Sequence, residues 1–243
     1  MTKTEKIEKL FRGELRIIQN STSPRFSLDS VLLASFAEKT VEGPICDLGC
    51  GTGIIPLLLS HKYPDSSIFG VEIMAEPAEL AARSVQLNGL SEQIKIINGD
   101  LRQLENKQLI KMALVTANPP YFLQGAGRPS PDPLRCAART ENFGTFRDVL
   151  LCAQELLAAE GRFCFCLPTE REEEVLELAT STNMNILRSR FVRTSAGNEP
   201  YLMLIEMGFT EVKQPLVLPD LVVFTKQNRY TPEIEEIFYG KEE

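Results

Sequence analysis

Asp47, Glu72, Asp100 and Asn118 are the residues whose types and spacing in this chain can do chemistry. Asp47 heads the run Asp47-Leu-Gly49-Cys-Gly51-Thr-Gly53, in which glycines permit a tight turn and close approach of a ligand to the backbone. The same geometry in a dinucleotide site seats a pyrophosphate on a helix N-terminus. Here a carboxylate stands at the mouth of the loop, which disfavours two phosphates, and the glycine spacing departs from GxGxxG. The pattern suits S-adenosylmethionine (SAM), which carries an ammonium and a sulfonium and no phosphate. Glu72 and Asp100 each end a run that reads as a strand, where one carboxylate can accept both ribose hydroxyls and the other an adenine amino group. Either acid alone serves equally well as a cap for the next turn. Three acids at successive strand ends favour a ligand, because open α/β sheets bind at that edge.

Asn118-Pro119-Pro120-Tyr121-Phe122 follows the fourth expected strand, at the same edge. The amine on a base or an amide is a poor nucleophile because its lone pair is delocalised. Two acceptors on its hydrogens, the Asn118 side-chain oxygen and the Pro119 carbonyl, draw the nitrogen towards sp3. Proline stiffens the loop and removes a competing N–H donor. Tyr121 offers a ring for a base to stack on, with Phe122 on the other side. The pattern leaves adenine N6, cytosine N4, guanine N2 and a glutamine amide all open as acceptors. No strong general base is required, and the single histidine, His61, reads as structural.

Alternating strand and helix from residue 44 onward must position these groups, which predicts a mainly parallel sheet covered on both faces. Expected strands are Pro44–Asp47, Ser67–Ile73, Ile94–Ile97, Met112–Thr116 and Arg162–Leu167. Expected helices are Val31–Ala37, Ile54–Tyr63, Pro77–Leu87, Phe146–Ala159 and Glu170–Thr180. Apolar runs at 186–192, 201–209 and 216–224 read as further strands, antiparallel at the C-terminal end, before a short acidic helix, Pro232–Tyr239. Residues 123–142, rich in Gly, Pro and Arg, are too long for an ordinary connection. Residues 1–40 read as an N-terminal cap on a methyltransferase domain spanning 41–243, the two forming one structural unit.

The chain has 243 residues and a net charge of −7, so a polyanionic partner would need a local basic face. Candidates are the lysines and arginines before residue 17, Arg128 to Arg139, and Arg188, Arg190 and Arg193. The six cysteines lack a CxxC pair and, with no export signal, read as reduced thiols of a cytoplasmic protein; Cys164 and Cys166 share one strand face. A single histidine argues against a metal site, and no apolar run is long enough to span a bilayer.

Four further segments carry a resemblance. They are Gln19 with Arg25-Phe-Ser-Leu-Asp-Ser-Val-Leu-Leu-Ala34, Ala138-Arg-Thr-Glu141, Phe146-Arg-Asp-Val-Leu-Leu151, and Asn228-Arg-Tyr-Thr-Pro-Glu-Ile234. With the glycine loop and NPPYF, they resemble the bacterial tRNA (adenine-N6) methyltransferases that modify valine tRNA beside the anticodon. The resemblance implies a Rossmann-like class I methyltransferase fold. It also implies SAM as donor, S-adenosylhomocysteine as product, no metal, and the tRNA anticodon stem-loop as partner of a monomer or weak dimer. Carried over by position, Arg25, Ser27, Asp47, Gly49, Gly51, Thr52, Gly53, Glu72, Ile73, Asp100, Leu101 and Asn118 would hold the cofactor. Asn118 to Tyr121 would act on the amine, and Asp29, Phe122, Arg128 and Arg139 would meet the substrate. The rival readings are glutamine-amide methylation of a translation protein, another base amine as acceptor, and a SAM- or RNA-binding module without turnover.

Overall fold

The computed structural model describes residues 5–10, 13–20, 26–38, 42–104, 110–119 and 144–240. Strands β1 (Glu5–Leu10) and β2 (Leu15–Asn20) form an antiparallel hairpin, with Ile7 opposite Ile18. Sequence patterning gave this segment only as an appendage, since charges alternate along it. Helix α1 (Leu28–Phe36) begins three residues before the expected start, with Ser27 at its N-cap position but no side-chain cap bond.

The central strands are β3 (Ile45–Leu48), β4 (Ile68–Glu72), β5 (Ile94–Asn98), β6 (Met112–Ala117) and β7 (Leu157–Pro168). They pair in parallel in the order β7-β6-β3-β4-β5. Helix α2 (Ile54–Lys62) links β3 to β4, and α3 (Ala75–Leu87) links β4 to β5. Asn88 and Gly89 stop α3 as expected, Gly89 at φ +70°. Helix α4 (Phe146–Leu156) starts on a reciprocal cap in which Thr145 and Asp148 each accept the other's backbone N–H.

The sequence predicts α4 running to Ala159, but Leu157 is extended and already pairs with Met112 in β7. The pairing shifts register between Met112 and Leu114. A side chain at Gly161 would lie 2.8 Å from the Met112 carbonyl, so the helix yields to strand pairing at a glycine that lets two backbones touch.

Helix α5 (Glu172–Ser181) leads to β8 (Asn185–Ser195), and β9 (Pro200–Gly208) lies antiparallel between β8 and β7. The run 216–224 divides into β10 (Leu216–Val217) and β11 (Leu221–Phe224), with Pro219, which cannot donate to a ladder, between them. Both pair parallel with β8, correcting the expected antiparallel ending, which holds for β9 alone. The chain leaves β9 beside the start of β8 and reverses, so it re-enters in the direction of β8. Helix α6 (Pro232–Tyr239) closes the described chain with Pro232 in its first turn and Thr231 accepting from the Ile234 N–H.

Alternation along β7 divides the core. Cys164 and Cys166 pack with α1, α2 and the hairpin on one face, while Phe163, Phe165 and Leu167 pack with α4 and α5 on the other. The C-terminal ends of β3, β4, β5, β6 and β7 therefore share one edge. The start of antiparallel β9 lies there too.

Candidate active site

Asp47 is fully buried near the end of β3. Its Oδ1 accepts from Thr116 Oγ1 at 2.7 Å, across the strand pair in which Asp47 faces Thr116. Its Oδ2 is buried with no hydrogen-bond partner among the described residues. Burial pushes its carboxyl up to about 8; the Thr116 bond pulls the other way, and the nearby Glu72 charge adds to the rise.

The glycine loop lies on the end of β4, where the N–H groups of Gly49 and Cys50 both donate to the Val71 carbonyl. Gly49 (φ +75°) and Gly51 (φ +55°) have open space where a Cβ would stand. Gly53 (φ +89°) differs, because a Cβ there would meet the Ala81 side chain at 3.0 Å. Two glycines thus face open space and the third packs α2 against α3. Thr52 is buried and accepts from Gln19 Nε2 at 3.2 Å, so the N-terminal hairpin reaches the back of the loop.

Glu72 ends β4 and is buried. Gly51 N–H donates to its Oε2 at 2.8 Å and Met74 N–H to its Oε1 at 2.9 Å. Burial raises its carboxyl above the usual range, opposed by these backbone bonds. With a further contribution from the Ile73 N–H, the carboxylate still has a lone-pair position for another donor. The Asn98 amide donates to the Glu72 and Ile73 carbonyls at 2.8 and 3.1 Å, which ties the β5 and β4 ends together.

Asp100 lies just beyond β5 but is already engaged. It caps the 3-10 turn Leu101–Gln103, accepting from Arg102 N–H at 2.9 Å and from the Arg102 guanidinium on both oxygens. The Arg102 hydrogen bond holds its carboxyl below the usual range. The capping alternative is thus the arrangement observed. An adenine amine would have to share this carboxylate with Arg102.

Asn118 directly follows β6. Its Nδ2 donates to Ser30 Oγ at 2.9 Å, and its Oδ1 accepts from Cys166 Sγ at 3.2 Å. Asp29, one residue before Ser30 on α1, contacts Tyr201 at the start of β9. Burial, and then this carboxylate, raise the Tyr201 phenol. The sequence reading places Ser30 only within an Arg25 to Ser30 cover over the site, and it assigns no role to Cys166, Thr116 or Tyr201. A serine among apolar residues in α1 was the one local signal.

Pro120, Tyr121, Phe122, Arg25, Arg128 and Arg139 lie outside the described residues. Arg188, Arg190 and Arg193 do not form a free basic face, since they pair with Glu206, Glu233 and Asp220 respectively. The five described cysteines are buried and form no disulfide among the described residues. His61 is half-exposed at the end of α2, 3.9 Å from a Glu14 carboxylate oxygen. Among the described residues no cluster of metal-ligating side chains occurs, and no helix is long and apolar enough to cross a membrane.

The buried Asp47 acceptor, the open side of Gly49 and Gly51, and the acid at the end of β4 fit a cationic nucleoside better than a phosphate ligand. A family model described as the methyltransferase small domain matches residues 23–129. A Yersinia enterocolitica protein named tRNA1(Val) (adenine(37)-N6)-methyltransferase is 30 % identical over 191 residues, covering 76 % of this chain and 75 % of the relative. A Porphyromonas gingivalis protein of the same name is 29 % identical over 235 residues, covering 92 % and 91 %. Among solved structures, a predicted O-methyltransferase from Agrobacterium tumefaciens superposes with a TM-score of 0.67 at 21 % identity, covering 86 % of this chain and 94 % of that one. The tRNA m1G37 methyltransferase of M. jannaschii gives 0.60 at 16 % identity, covering 87 % and 56 %. These two share the α/β, Rossmann-like fold of this chain.

Proposed function

This chain belongs to the tRNA1(Val) (adenine(37)-N6)-methyltransferase family, and from that premise we propose that it transfers a methyl group from SAM to N6 of adenine 37 in valine tRNA. The observation that carries the proposal is Asn118, an amide beside the Pro119 carbonyl at the sheet edge that also holds Asp47 and Glu72. When bound, SAM supplies an electrophilic methyl group on a sulfonium. Asp47 would accept from its ammonium with the unpartnered Oδ2, while Gly49 and Gly51 leave room for its backbone-hugging end. Glu72 would accept the ribose hydroxyls. The Arg25 to Ser30 segment would close over the site.

The Asn118 oxygen and the Pro119 carbonyl would take the two N–H bonds of the flipped adenine, freeing the N6 lone pair for in-line attack. The methylated nitrogen is strongly acidic and releases its proton to water, so no histidine is needed. Tyr121 and Phe122 would stack on the base, and Arg128 and Arg139 would meet the phosphates. Soluble action in the cytoplasm, without a metal or an obligate protein partner, follows from this reading.

The test is transfer of labelled methyl from SAM to unmodified valine tRNA transcripts and, separately, to soluble protein from a methylation-deficient extract. Recovery of N6-methyladenosine from digested tRNA is the expected result. Label in protein with none in RNA would move the acceptor to a glutamine amide and overturn the proposal.

A further inference from the structure

We propose that Ser30 and Cys166 are positioning residues that lock the Asn118 amide with its oxygen towards the acceptor amine; this rests on the function proposed above. A primary amide is nearly symmetric in shape but opposite in hydrogen-bonding sense at its two ends. Were it turned over, NH2 would face the amine and two sets of donors would collide. Nothing within an Asn-Pro-Pro loop decides between the two orientations. Its neighbours in space do.

Asn118 follows β6, and Ala117 pairs with Phe165, which brings the next residue of β7, Cys166, beside the amide. The thiol lies 3.2 Å from Asn118 Oδ1. A thiol donates weakly and accepts worse from an N–H, so Cys166 selects the orientation with oxygen on its side. Ser30, reaching across from the first turn of α1, lies 2.9 Å from Nδ2 and accepts from it. A hydroxyl tolerates either orientation alone, so Ser30 supplies the anchor and Cys166 the sense. Ser30 is 5 % exposed and Cys166 0 %, so both partners approach the half-buried amide from its protein side. Held at both ends, the amide cannot turn about its last side-chain bond. Oδ1 retains a second lone pair for the substrate.

The anchor is itself held. Leu32 and Leu33 of α1 are buried in the core, and the Phe36 ring at its far end carries the Arg188 guanidinium at 4.4 Å. The sequence separation of 88 residues between Ser30 and Asn118 gives the N-terminal RFSLDS segment a role in chemistry, beyond covering the cofactor.

The experiment compares wild type with Ser30→Ala, Cys166→Ala and Cys166→Ser in the full chain. Single-turnover methyl transfer at saturating SAM and acceptor is read beside SAM affinity by calorimetry and thermal melting. Loss of one hydrogen bond to the Asn118 amide should slow transfer by Ser30→Ala about tenfold. SAM affinity and melting should stay near wild type. Cys166→Ala should cost a few-fold, and Cys166→Ser, which restores an O–H donor, should recover most of it.

Wild-type turnover in Ser30→Ala overturns the inference. So does a rate loss matched by an equal fall in SAM affinity or melting, which would make Ser30 a packing residue of α1. Failure of the function proposed above looks different. The wild type would then label protein instead of tRNA, and the Ser30 and Cys166 rate ratios would be read on that acceptor.

Discussion

Asp47 gives one carboxylate oxygen to Thr116 at 2.7 Å and keeps the other buried, with no partner among the described residues. An orphaned acceptor of this kind is costly in the free protein and becomes useful when a cation arrives. Because burial pushes the Asp47 carboxyl up to about 8, it is largely protonated at neutral pH in the free protein. An ammonium brought against it favours the ionised form and expels that proton. SAM affinity should therefore rise with pH from 6 towards 8. It should stop rising near about 8, where an α-amino group begins to lose its own charge. Calorimetry in buffers of different ionisation enthalpy should record close to one proton released at pH 7, and almost none from Asp47→Asn. Equal proton release by the two proteins would separate Asp47 from the ligand.

The same carboxyl makes the free protein less stable as pH rises. Its folded value, about 8, lies above the ordinary 3.8, so the folded state binds the proton more tightly than the unfolded chain does. Its contribution to stability is complete below 3.8, declines through the interval, and is lost as pH passes the folded value. Asp47→Asn removes that decline. In ligand-free protein the variant should match wild type near pH 4 and exceed it by several kcal/mol at pH 8, while binding SAM poorly. Parallel melting profiles from pH 5 to 9 would refute the assignment of that dependence to Asp47.

Gly51 and Gly53 share a left-handed backbone but face different surroundings, and alanine should separate them. A Cβ at Gly51 points into open space, so Gly51→Ala should cost about 1 kcal/mol of stability from its φ alone. The methyl group occupies the space expected for SAM, so the affinity should fall by about tenfold or more. At Gly53 the Cβ meets Ala81 at 3.0 Å, away from that space. Gly53→Ala should chiefly lower the melting temperature by loosening α2 from α3. Reversal of the two signatures, read by denaturation and SAM titration, would show that the open space at Gly51 is not the cofactor's.

Glycine and acid punctuation made the central half of the fold legible. Asp47, the three loop glycines, Glu72 and the Asn88-Gly89 stop lie within a few residues of the elements they terminate, so local pattern finds them. The N-terminal hairpin escaped because its stabilising partners are distant. Arg83 pairs with Glu5, Asn88 bonds the backbone of Arg16, and Ser84 accepts from Ile18 N–H. The arginines of β8 looked like a nucleic-acid face, and only the fold supplies the acids that neutralise them. Asp100 shows the remaining ambiguity. A carboxylate at a strand end reads the same whether it waits for adenine or caps a turn, and here Arg102 already holds it.

Arg188 and Glu206 test whether the C-terminal strands and α1 are joined by charge or by packing. Their side chains are 11 % and 6 % exposed, 2.6 Å apart, and Arg188 also donates to the Phe36 carbonyl at 2.9 Å. The second guanidinium nitrogen reaches Glu38 at 3.1 Å, but that carboxylate is half in solvent and screens little of the buried charge. Arg188 Nε has no partner among the described residues, so this is an incompletely satisfied pair. Removing one member should be worse than removing both, because it strands a charge in the core. Glu206→Gln should lower stability by about 3 kcal/mol. Arg188→Met combined with Glu206→Leu should recover a large part of that loss, since both replacements fill the volume without needing a partner. Chemical denaturation of the three proteins decides the matter. A double variant as unstable as Glu206→Gln would mean that the Phe36 carbonyl bond and the ring contact, rather than the carboxylate, hold β8 to α1.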